Sequence, residues 1–330
     1  MVQERAGQEP TAQKPTAQKQ EAREMAQGGL AQRGAYVVTG PTSGIGRRTA
    51  LELAKHGTVV LVGRDPGRLG EVQQEIEGAG GKAVPVECDL SDIAAVRRAA
   101  AEIVALGLPL AGLVNNAGTS QMRATKNAQG WDMVFATNHV SPIALTEALI
   151  PQLPDGRDVV FVCSGVEDPK RRPAVIAGFR GGRYISAEAS ARGEWEPGGS
   201  ALPGGDAYAT SKQCELAAAL ALARETPRLR INAVEPGFNP GTGLGRDANV
   251  FLRGLARYVL APLAPLIKYW STPGRAAKVI TNAALNQAGA TGVYYDEKGR
   301  PMLGSVLVRD PEFQDRVVAE TRALLATVPA

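Results

Sequence analysis

From residue 35 onwards, short apolar runs alternate with helix-like segments, and this alternation constrains the fold more than any other feature. The runs include "AYVVT", "TVVLVG", "AGLVN" and "DVVFV", each followed by a helix-like segment or a turn. Strands that are apolar throughout are buried on both faces, and with a helix after each strand they form a parallel sheet. We therefore predict an α/β fold with one doubly wound parallel sheet and helices on both faces. In such sheets, ligands bind at the carboxyl ends of the strands.

Composition separates the first 33 residues from the rest of the chain. Residues 1–33 include the polar, partly repeating stretch "TAQKPTAQKQEAREMAQGG", which offers no apolar face to a core. They are predicted to be a disordered or leader-like tail, and residues 34–330 a single Rossmann-type domain. The longest apolar run, Tyr258–Ile267, contains two prolines and is too short to span a bilayer.

Charge and cysteine content narrow the class of protein. The formal net charge is only +4, and the densest basic cluster lies in a predicted loop, so nucleic-acid binding is not expected. The three cysteines are scattered and form no CxxC pair, which is typical of a reducing cytoplasm. No His or Cys spacing indicates a metal site, and we predict a cytoplasmic protein without a metal ion.

A glycine-rich turn, "TGPTSGIGR", joins the first predicted strand to the first helix. Gly40, Gly44 and Gly46 permit a tight turn and a close approach of the backbone to a pyrophosphate. The helix N-terminus around Ser43 and Ile45 then offers N–H donors and the positive end of the helix dipole. The GxxxGxG spacing also occurs in turns without ligands, but its place in the first strand–helix unit favours dinucleotide binding.

The end of the second strand indicates which dinucleotide is bound. NAD sites place Asp or Glu here for the ribose hydroxyl, whereas NADP sites place Arg for the 2′-phosphate. This chain has Gly63 followed by Arg64, and the carboxylate of Asp65 comes one residue later, where it is expected to point into the turn. We predict NADP(H), bound by Arg64. Arg47 is equally well read as a second ligand or as a surface residue.

A tyrosine and a lysine lie four residues apart in "GGDAYATSKQCELAAALALA". On a helix, Tyr208 and Lys212 face the same side one turn apart. A cation at that distance lowers a tyrosine pKa from about 10 towards neutrality, where a phenol can exchange protons with a substrate. An exposed surface pair is the alternative reading of this spacing alone.

Together with "NNAG" at 115–118 and Ser164 at the end of a strand, these motifs resemble the short-chain dehydrogenase/reductase family. They occur in the family's order, and the resemblance covers about residues 34 to 300. "TNHVSPIALT", "TPGRAAKVI" and "TGVYYDEKG" resemble its retinol dehydrogenase and protochlorophyllide reductase branch. The resemblance implies an NADPH-dependent carbonyl reductase or alcohol dehydrogenase.

The resemblance also implies roles for individual residues. Tyr208 would be the general acid/base, and Lys212 would bind the nicotinamide ribose and lower the Tyr208 pKa. Ser164 would bind the substrate oxygen, and Asn138 would anchor a water molecule in a proton relay. Further implied cofactor contacts are Asp89, Leu90, Asn115, Ala117, Gly118, Pro236, Gly237 and Thr242. Thr242 lies one position later than the family's usual threonine.

Two segments depart from the simplest family members. A long insertion at 165–207 precedes Tyr208, and its aromatic residues Phe179, Tyr184 and Trp195 are read equally well as a substrate-pocket wall or as a surface subdomain. The stretch 242–270 resembles the family's mobile lid and is rich in apolar residues around Pro262. An ordinary core helix is the alternative there, but the pattern favours a hydrophobic cover for a bulky apolar substrate.

The predicted function is therefore NADPH-dependent hydride transfer to or from a bulky apolar ketone, aldehyde or secondary alcohol. Two alternatives remain: a non-catalytic dinucleotide-binding regulator, and a membrane-surface dehydrogenase of retinol or lipid type. A regulator would be free to lose Ser164, Tyr208 or Lys212, and all three are present. The expected partner is a small-molecule substrate, no nucleic acid or transmembrane segment is expected, and a homo-oligomer is left open.

Overall fold

The computed structural model describes residues 34–239, 269–285 and 289–329, and its centre is an eight-stranded sheet. The strands are β1 (Ala35–Thr39), β2 (Thr58–Gly63), β3 (Lys82–Glu87), β4 (Leu110–Asn115), β5 (Asp158–Val162), β6 (Arg230–Val234), β7 (Tyr294–Tyr295) and β8 (Pro301–Met302). Their order in the sheet is β3-β2-β1-β4-β5-β6-β7-β8. All neighbouring pairs are parallel except β7 with β8. The predicted doubly wound parallel sheet is confirmed.

Helices follow the strands as the alternation predicts. They are α1 (Gly44–Leu53), α2 (Pro66–Gly78), α3 (Ile93–Ala105), α4 (Met133–Phe135), α5 (Ser141–Leu149), α6 (Arg172–Ile176), α7 (Ala187–Arg192), α8 (Gly205–Glu225), α9 (Pro273–Ala284) and α10 (Pro311–Ala326). A π-helical turn, Ala136–Val140, joins α4 to α5. In the described part of the chain, no helix is both long enough and apolar enough to cross a membrane.

Several helices begin where a side chain accepts a hydrogen bond from their first turn. Asp65 accepts from the Arg68 N–H at the start of α2, and Asp310 accepts from the Glu312 N–H at the start of α10. In α2, α9 and α10 a proline also occupies the first turn, where its missing N–H costs nothing. Local sequence therefore sets these helix starts.

The sheet separates two hydrophobic layers. Along β1, Val37 faces one layer and Val38 the other, as the two-residue period of a strand requires. The first layer is covered by α3, α5 and α8, with Leu216 of α8 fully buried, and α10 packs on α8 from outside. The second layer is covered by α1, α2 and α9, which contribute Leu53 and Ile280. Both faces of the sheet are thus shielded from water.

The insertion 165–207 is fixed to the main core. Its Tyr184 is 6% exposed and meets Phe313 of α10 edge to face, with ring centroids 5.7 Å apart. The Tyr184 hydroxyl donates to Glu320 Oε2 at 2.6 Å, and the Ala187 N–H donates to the same oxygen at 2.9 Å. Tyr184 therefore belongs to the main core, which neither sequence-based interpretation of this segment anticipated. The predicted tail, and the predicted lid except its last two residues, lie outside the described residues.

Candidate active site

The candidate site lies at the carboxyl ends of the parallel strands. The chain leaves β1 towards β2 and β3, then crosses to β4 on the other side of β1, so a crevice opens beyond the ends of β1 and β4. The two strand ends approach closely, since a Cβ built on Gly40 would lie 3.0 Å from the Ala117 Cα. Gly40 can make this approach because it has no side chain.

The glycine-rich turn leads directly into α1. Gly40 and Gly44 have φ of +66° and +55°, a region that favours glycine, and a Cβ on Gly46 would lie 2.2 Å from the Gly40 carbonyl oxygen. The first N–H of α1 with an acceptor in the helix is that of Arg47, which donates to Ser43 O at 3.2 Å. The Ser43 side chain does not cap the helix. The N–H groups of the first turn, including that of Ile45, thus have no acceptor within the helix. This cradle suits a pyrophosphate.

Two residues that the sequence analysis did not select hold this crevice together. The Asn116 side chain donates to Thr39 O at 2.9 Å and to Gly40 O at 3.3 Å. The Thr39 hydroxyl in turn accepts from the N–H groups of Asn116 and Ala117, both at 3.0 Å. Asn116 lies inside the "NNAG" motif. The motif therefore pointed to the correct loop, but the predicted cofactor contacts were Asn115, Ala117 and Gly118.

Asn115, Leu90 and Asp89, three of the implied cofactor contacts, lie in different surroundings. The Asn115 side chain is 1% exposed and donates to Thr146 Oγ1 of α5 at 2.9 Å, so it lies in the interior. Leu90 is 9% exposed and its side chain packs in the core. Asp89 is exposed after β3, where its carboxylate accepts from the Ser91 N–H and hydroxyl. Only Asp89 of the three presents its side chain to solvent.

The end of β2 presents a cation to solvent. Arg64 is exposed and makes no hydrogen bond or ion pair with the described residues. Asp65 is occupied as the cap of α2, where its carboxylate also lies 3.4 Å from Arg68 Nε. Arg47, the second candidate for the phosphate, is paired with Glu75 at 2.7 Å. Arg64 is therefore the cation best placed for a phosphate at this strand end.

Tyr208, Lys212 and Ser164 meet at the end of β5. Ser164 directly follows Cys163 after the strand, and its side chain lies close enough to Tyr208 to lower the pKa of the phenol. Lys212 Nζ donates to the Val162 carbonyl oxygen at 2.8 Å, so α8 is tied to the same strand. The first turns of α8 thus place a phenol, an ammonium group and a hydroxyl side by side.

Asn138 joins this group from the π-helical turn. Its amide donates to Ser211 Oγ of α8 at 3.0 Å and to Thr119 O at 2.9 Å, and its carbonyl oxygen accepts from the Thr119 N–H. A Cβ built on Gly118 would lie 3.5 Å from Asn138 Oδ1 and 3.8 Å from Lys212 Nζ. The structure therefore brings the four predicted catalytic residues and the "NNAG" loop together.

The expectation for the Tyr208 pKa is wrong in its net direction. Burial raises the pKa of Tyr208 above its ordinary value; Lys212 lowers it, but Glu215 raises it again. Glu215 lies 2.6 Å from Lys212 Nζ and cancels part of its positive charge. Burial alone would lower the pKa of Lys212, but the Glu215 carboxylate, together with Tyr208 and Cys163, raises it above its ordinary value, so Lys212 stays protonated.

The turn after β6 closes the far side of the site. Gly237 has φ of +73°, and a Cβ there would lie 2.9 Å from Glu297 Cβ. The Asn239 amide donates to the carbonyl oxygens of Pro236 and Gly237 at 3.1 and 2.8 Å. These bonds fix the "PG" turn at the strand ends. Thr242 lies outside the described residues.

The insertion forms one wall of the site. The Phe179 ring lies 6.3 Å from the Tyr208 ring, centroid to centroid, at a tilt of 50°. A cleft of about 280 Å³ opens beside the N-terminal end of α8, and Trp195 and Leu202 of the insertion line it together with Gln121. Its rim also carries charged side chains, namely Arg123, Lys126, Asp132, Arg192 and Asp206. The pocket-wall interpretation is thus supported by the contact of Phe179 with Tyr208.

Comparison with known proteins agrees with this architecture. A family profile described as short chain dehydrogenase matches residues 35–174. Polyprenol dehydrogenase of Mus musculus is 33% identical over 295 residues, which cover 86% of this chain and 81% of that protein. Retinol dehydrogenase 14 of Mus musculus is 34% identical over 135 residues, covering 37% of this chain and 40% of that protein.

Solved structures share the fold. A short chain dehydrogenase from Burkholderia cenocepacia J2315, in complex with NADP, superposes with a TM-score of 0.60 at 24% identity. The superposition covers 82% of this chain and 98% of that one. At this identity the likeness shows the fold alone.

The fold and the matched sequences together define a class, the oxidoreductases that act on alcohol or carbonyl groups. Within that class the chain belongs to the short-chain dehydrogenase/reductase family. The resemblance to the retinol dehydrogenase-like branch is confirmed.

Proposed function

We propose that this protein is an NADPH-dependent oxidoreductase that interconverts a bulky apolar ketone or aldehyde and the corresponding alcohol. One observation carries the proposal: Ser164, Tyr208 and Lys212 meet at the strand ends, beside the glycine-rich cradle at the start of α1. A regulator that only binds a dinucleotide has no need of a hydroxyl, a phenol and an ammonium group in that arrangement.

The residues present fit a nicotinamide dinucleotide. The N–H groups at the start of α1, which have no acceptor within the helix, suit the pyrophosphate, and Arg64 suits a 2′-phosphate. When bound, the nicotinamide supplies the hydride in reduction and accepts it in oxidation. The Arg64 guanidinium, which has no partner among the described residues, favours the phosphorylated cofactor.

The protein residues handle the proton and the substrate oxygen. In the reducing direction the Tyr208 hydroxyl donates a proton to the substrate oxygen, and the Ser164 hydroxyl donates a hydrogen bond to the same oxygen. The positive charge of Lys212 stabilises the phenolate that remains on Tyr208. Asn138 holds the Thr119 loop and Ser211 in place around this group.

The walls of the site support the proposed substrate class. The Phe179 ring packs at a tilt beside the Tyr208 ring, and Leu202 and Trp195 add apolar surface to the neighbouring cleft, whose lining also includes five charged side chains. An apolar wall favours a large hydrocarbon skeleton over a sugar or a small hydroxy acid. Two relatives are named for a polyprenol and for retinol, both of which are apolar alcohols.

Replacement of Tyr208 by Phe tests the proposed function. The change removes one hydroxyl and little volume, so we expect cofactor binding to persist while turnover of a bulky apolar ketone falls by about 10²- to 10⁴-fold. Stopped-flow or steady-state NADPH oxidation measures the loss, and fluorescence titration measures cofactor binding. Tyr36→Phe is the matched control, because Tyr36 lies near the amino end of β1, whereas the site lies at the carboxyl ends of the strands. A Tyr208→Phe variant that retains more than half of the wild-type rate would refute the assignment.

A further inference from the structure

Helix α8 contains a buried ion pair one turn beyond Tyr208. Lys212 Nζ donates to Glu215 Oε2 at 2.6 Å and to Val162 O at 2.8 Å. The side chains of Lys212 and Glu215 are 5% and 0% exposed. Burying two charges is costly in free energy, and apolar residues of similar volume often replace such a pair without loss of stability. Stability alone therefore does not explain a carboxylate at this position.

The bonding of Glu215 is directed at Lys212. Its second oxygen, Oε1, is buried and has no hydrogen-bond partner among the described residues. Because positions 212 and 215 differ by three, the two side chains share a helix face. Glu215 is thus aimed at the same ammonium group that faces Tyr208.

The surrounding charges do not replace this contact. On neighbouring elements, Cys163 interacts electrostatically with both Lys212 and Glu215, and the carboxylates of Glu167 and Glu235 act on Cys163 in turn. Glu235 is paired with Arg171, and Glu167 accepts the Ser305 backbone N–H. Glu215 is therefore the carboxylate that bonds to Lys212.

We propose that Glu215 is a positioning residue that holds the Lys212 ammonium group at the end of β5 and cancels part of the charge that Lys212 presents to Tyr208. In consequence Tyr208 is kept as a neutral phenol, which is a proton donor, near neutral pH. This inference rests on the proposed function of Tyr208 and adds a preference in direction: carbonyl reduction is favoured over alcohol oxidation at neutral pH.

The chemistry of the two directions shows why. In reduction, a hydride adds to the carbonyl carbon and the oxygen takes the Tyr208 hydroxyl proton, which leaves a phenolate. In oxidation, the Tyr208 phenolate takes the alcohol proton while the hydride leaves the same carbon for the oxidised nicotinamide. Reduction therefore needs the phenol at the outset, and oxidation needs the phenolate.

Glu215→Gln tests the proposal, since it keeps the shape and a hydrogen-bond acceptor but removes the charge. We expect the acid limb of the pH–rate profile for alcohol oxidation to move to lower pH, so that the rate on that limb rises by about tenfold, the change that one unit in pKa produces. A second readout is the ultraviolet titration of the Tyr208 phenolate, taken as the difference between each protein and its Tyr208→Phe counterpart. It should also move to lower pH in Glu215→Gln.

Two further variants sharpen the test. Glu215→Asp keeps the charge and is expected to restore the wild-type profile, which a purely structural role would not require. Glu52→Gln is the matched control, because Glu52 and Lys55 form a pair with the same spacing and the same 2.6 Å distance, but on the surface. Its profile should coincide with that of the wild type.

The outcomes separate this inference from the proposed function. If wild-type protein turns over its substrate and Glu215→Gln coincides with it in both readouts, the role of Glu215 is refuted. If no carbonyl compound or alcohol is turned over, the proposed function fails, yet the phenolate titration still decides the role of Glu215. If Glu215→Gln does not fold, Glu215→Asn replaces it as the variant without charge, with the same expected shift.

Discussion

Arg64 shows how one exposed side chain can select a cofactor. It extends from the end of β2 without a partner among the described residues, whereas Asp65 beside it is committed to the first turn of α2. A guanidinium group in that position gains charge-assisted hydrogen bonds only if the ribose carries a phosphate. The cofactor preference therefore depends on one contact that NADH lacks.

Replacing Arg64 by Ala should weaken NADPH binding and leave NADH binding nearly unchanged. A hydrogen bond to a charged group contributes about 1.5 to 3 kcal/mol, which corresponds to a roughly tenfold to hundredfold loss in NADPH affinity. Fluorescence titration of both cofactors measures it. Arg68→Ala is the control, since Arg68 lies one turn further along and interacts with Asp65. Equal weakening of NADPH and NADH would show that Arg64 does not contact the phosphate.

At the scale of the element, the insertion 165–207 combines a structural attachment with a functional surface. Tyr184 and the N-terminus of α7 are bound to Glu320 of α10, which holds the segment against the main core. Phe179, between α6 and α7, is thereby held against Tyr208. The segment thus shapes the substrate side of the site without supplying the proposed catalytic group.

Phe179→Ala should therefore raise KM for a bulky apolar ketone and leave NADPH affinity unchanged. The contact surface of a buried apolar side chain contributes about 1.5 to 3 kcal/mol, so kcat/KM should fall roughly tenfold to hundredfold. Ile176→Ala in the same segment is the control, because Ile176 is 86% exposed. If the two variants show the same kinetics, Phe179 does not contact the substrate.

Sequence patterns predicted the elements well because the relevant signals are local. The apolar runs, the glycine-rich turn and the Tyr208–Lys212 spacing each depend on neighbours within a few residues, and the structure has the predicted sheet. The Phe179 contact could not be predicted, since it depends on how 43 residues (165–207) fold before α8 begins. The pKa of Tyr208 was mispredicted because burial and the charge of Glu215 depend on packing.

At the scale of the whole molecule, stability is linked to pH through buried ionisable groups that respond to pH in opposite directions. His139 is 0% exposed, bonds to Thr321 of α10 at 2.8 Å, and burial lowers its pKa from 6.5 to about 3. Burial raises the pKa of Glu167 from 4.5 to about 7, although the Ser305 N–H partly offsets this. The neutral forms of both groups are favoured by folding.

The two groups lose their stabilising contributions in opposite directions of pH, over windows that overlap. The contribution of His139 is present above pH 6.5 and is lost as the pH falls towards 3, because the unfolded chain binds the proton more readily. The contribution of Glu167 is present below pH 4.5 and is lost as the pH rises through about 7.

His139→Gln should make the stability of the protein less dependent on pH between about 6.5 and 3. Each pH unit in that range costs the wild type up to about 1.4 kcal/mol through this group, and glutamine has no proton to gain. Denaturant unfolding at a series of pH values measures the slope. His56→Gln is the control, because His56 is exposed after α1. A slope identical in wild type and His139→Gln would mean that His139 does not govern acid sensitivity.

Helix α8 has a consequence for how this scaffold can be altered. Its first turns hold Tyr208 and Lys212, while the remainder, with Leu216 and Cys214, is buried in the main core. Selection for a new substrate therefore cannot change this helix without risking expression of the protein. The insertion, which meets the site through Phe179, is the segment where a library of variants would sample new specificities at the smallest loss of folded protein.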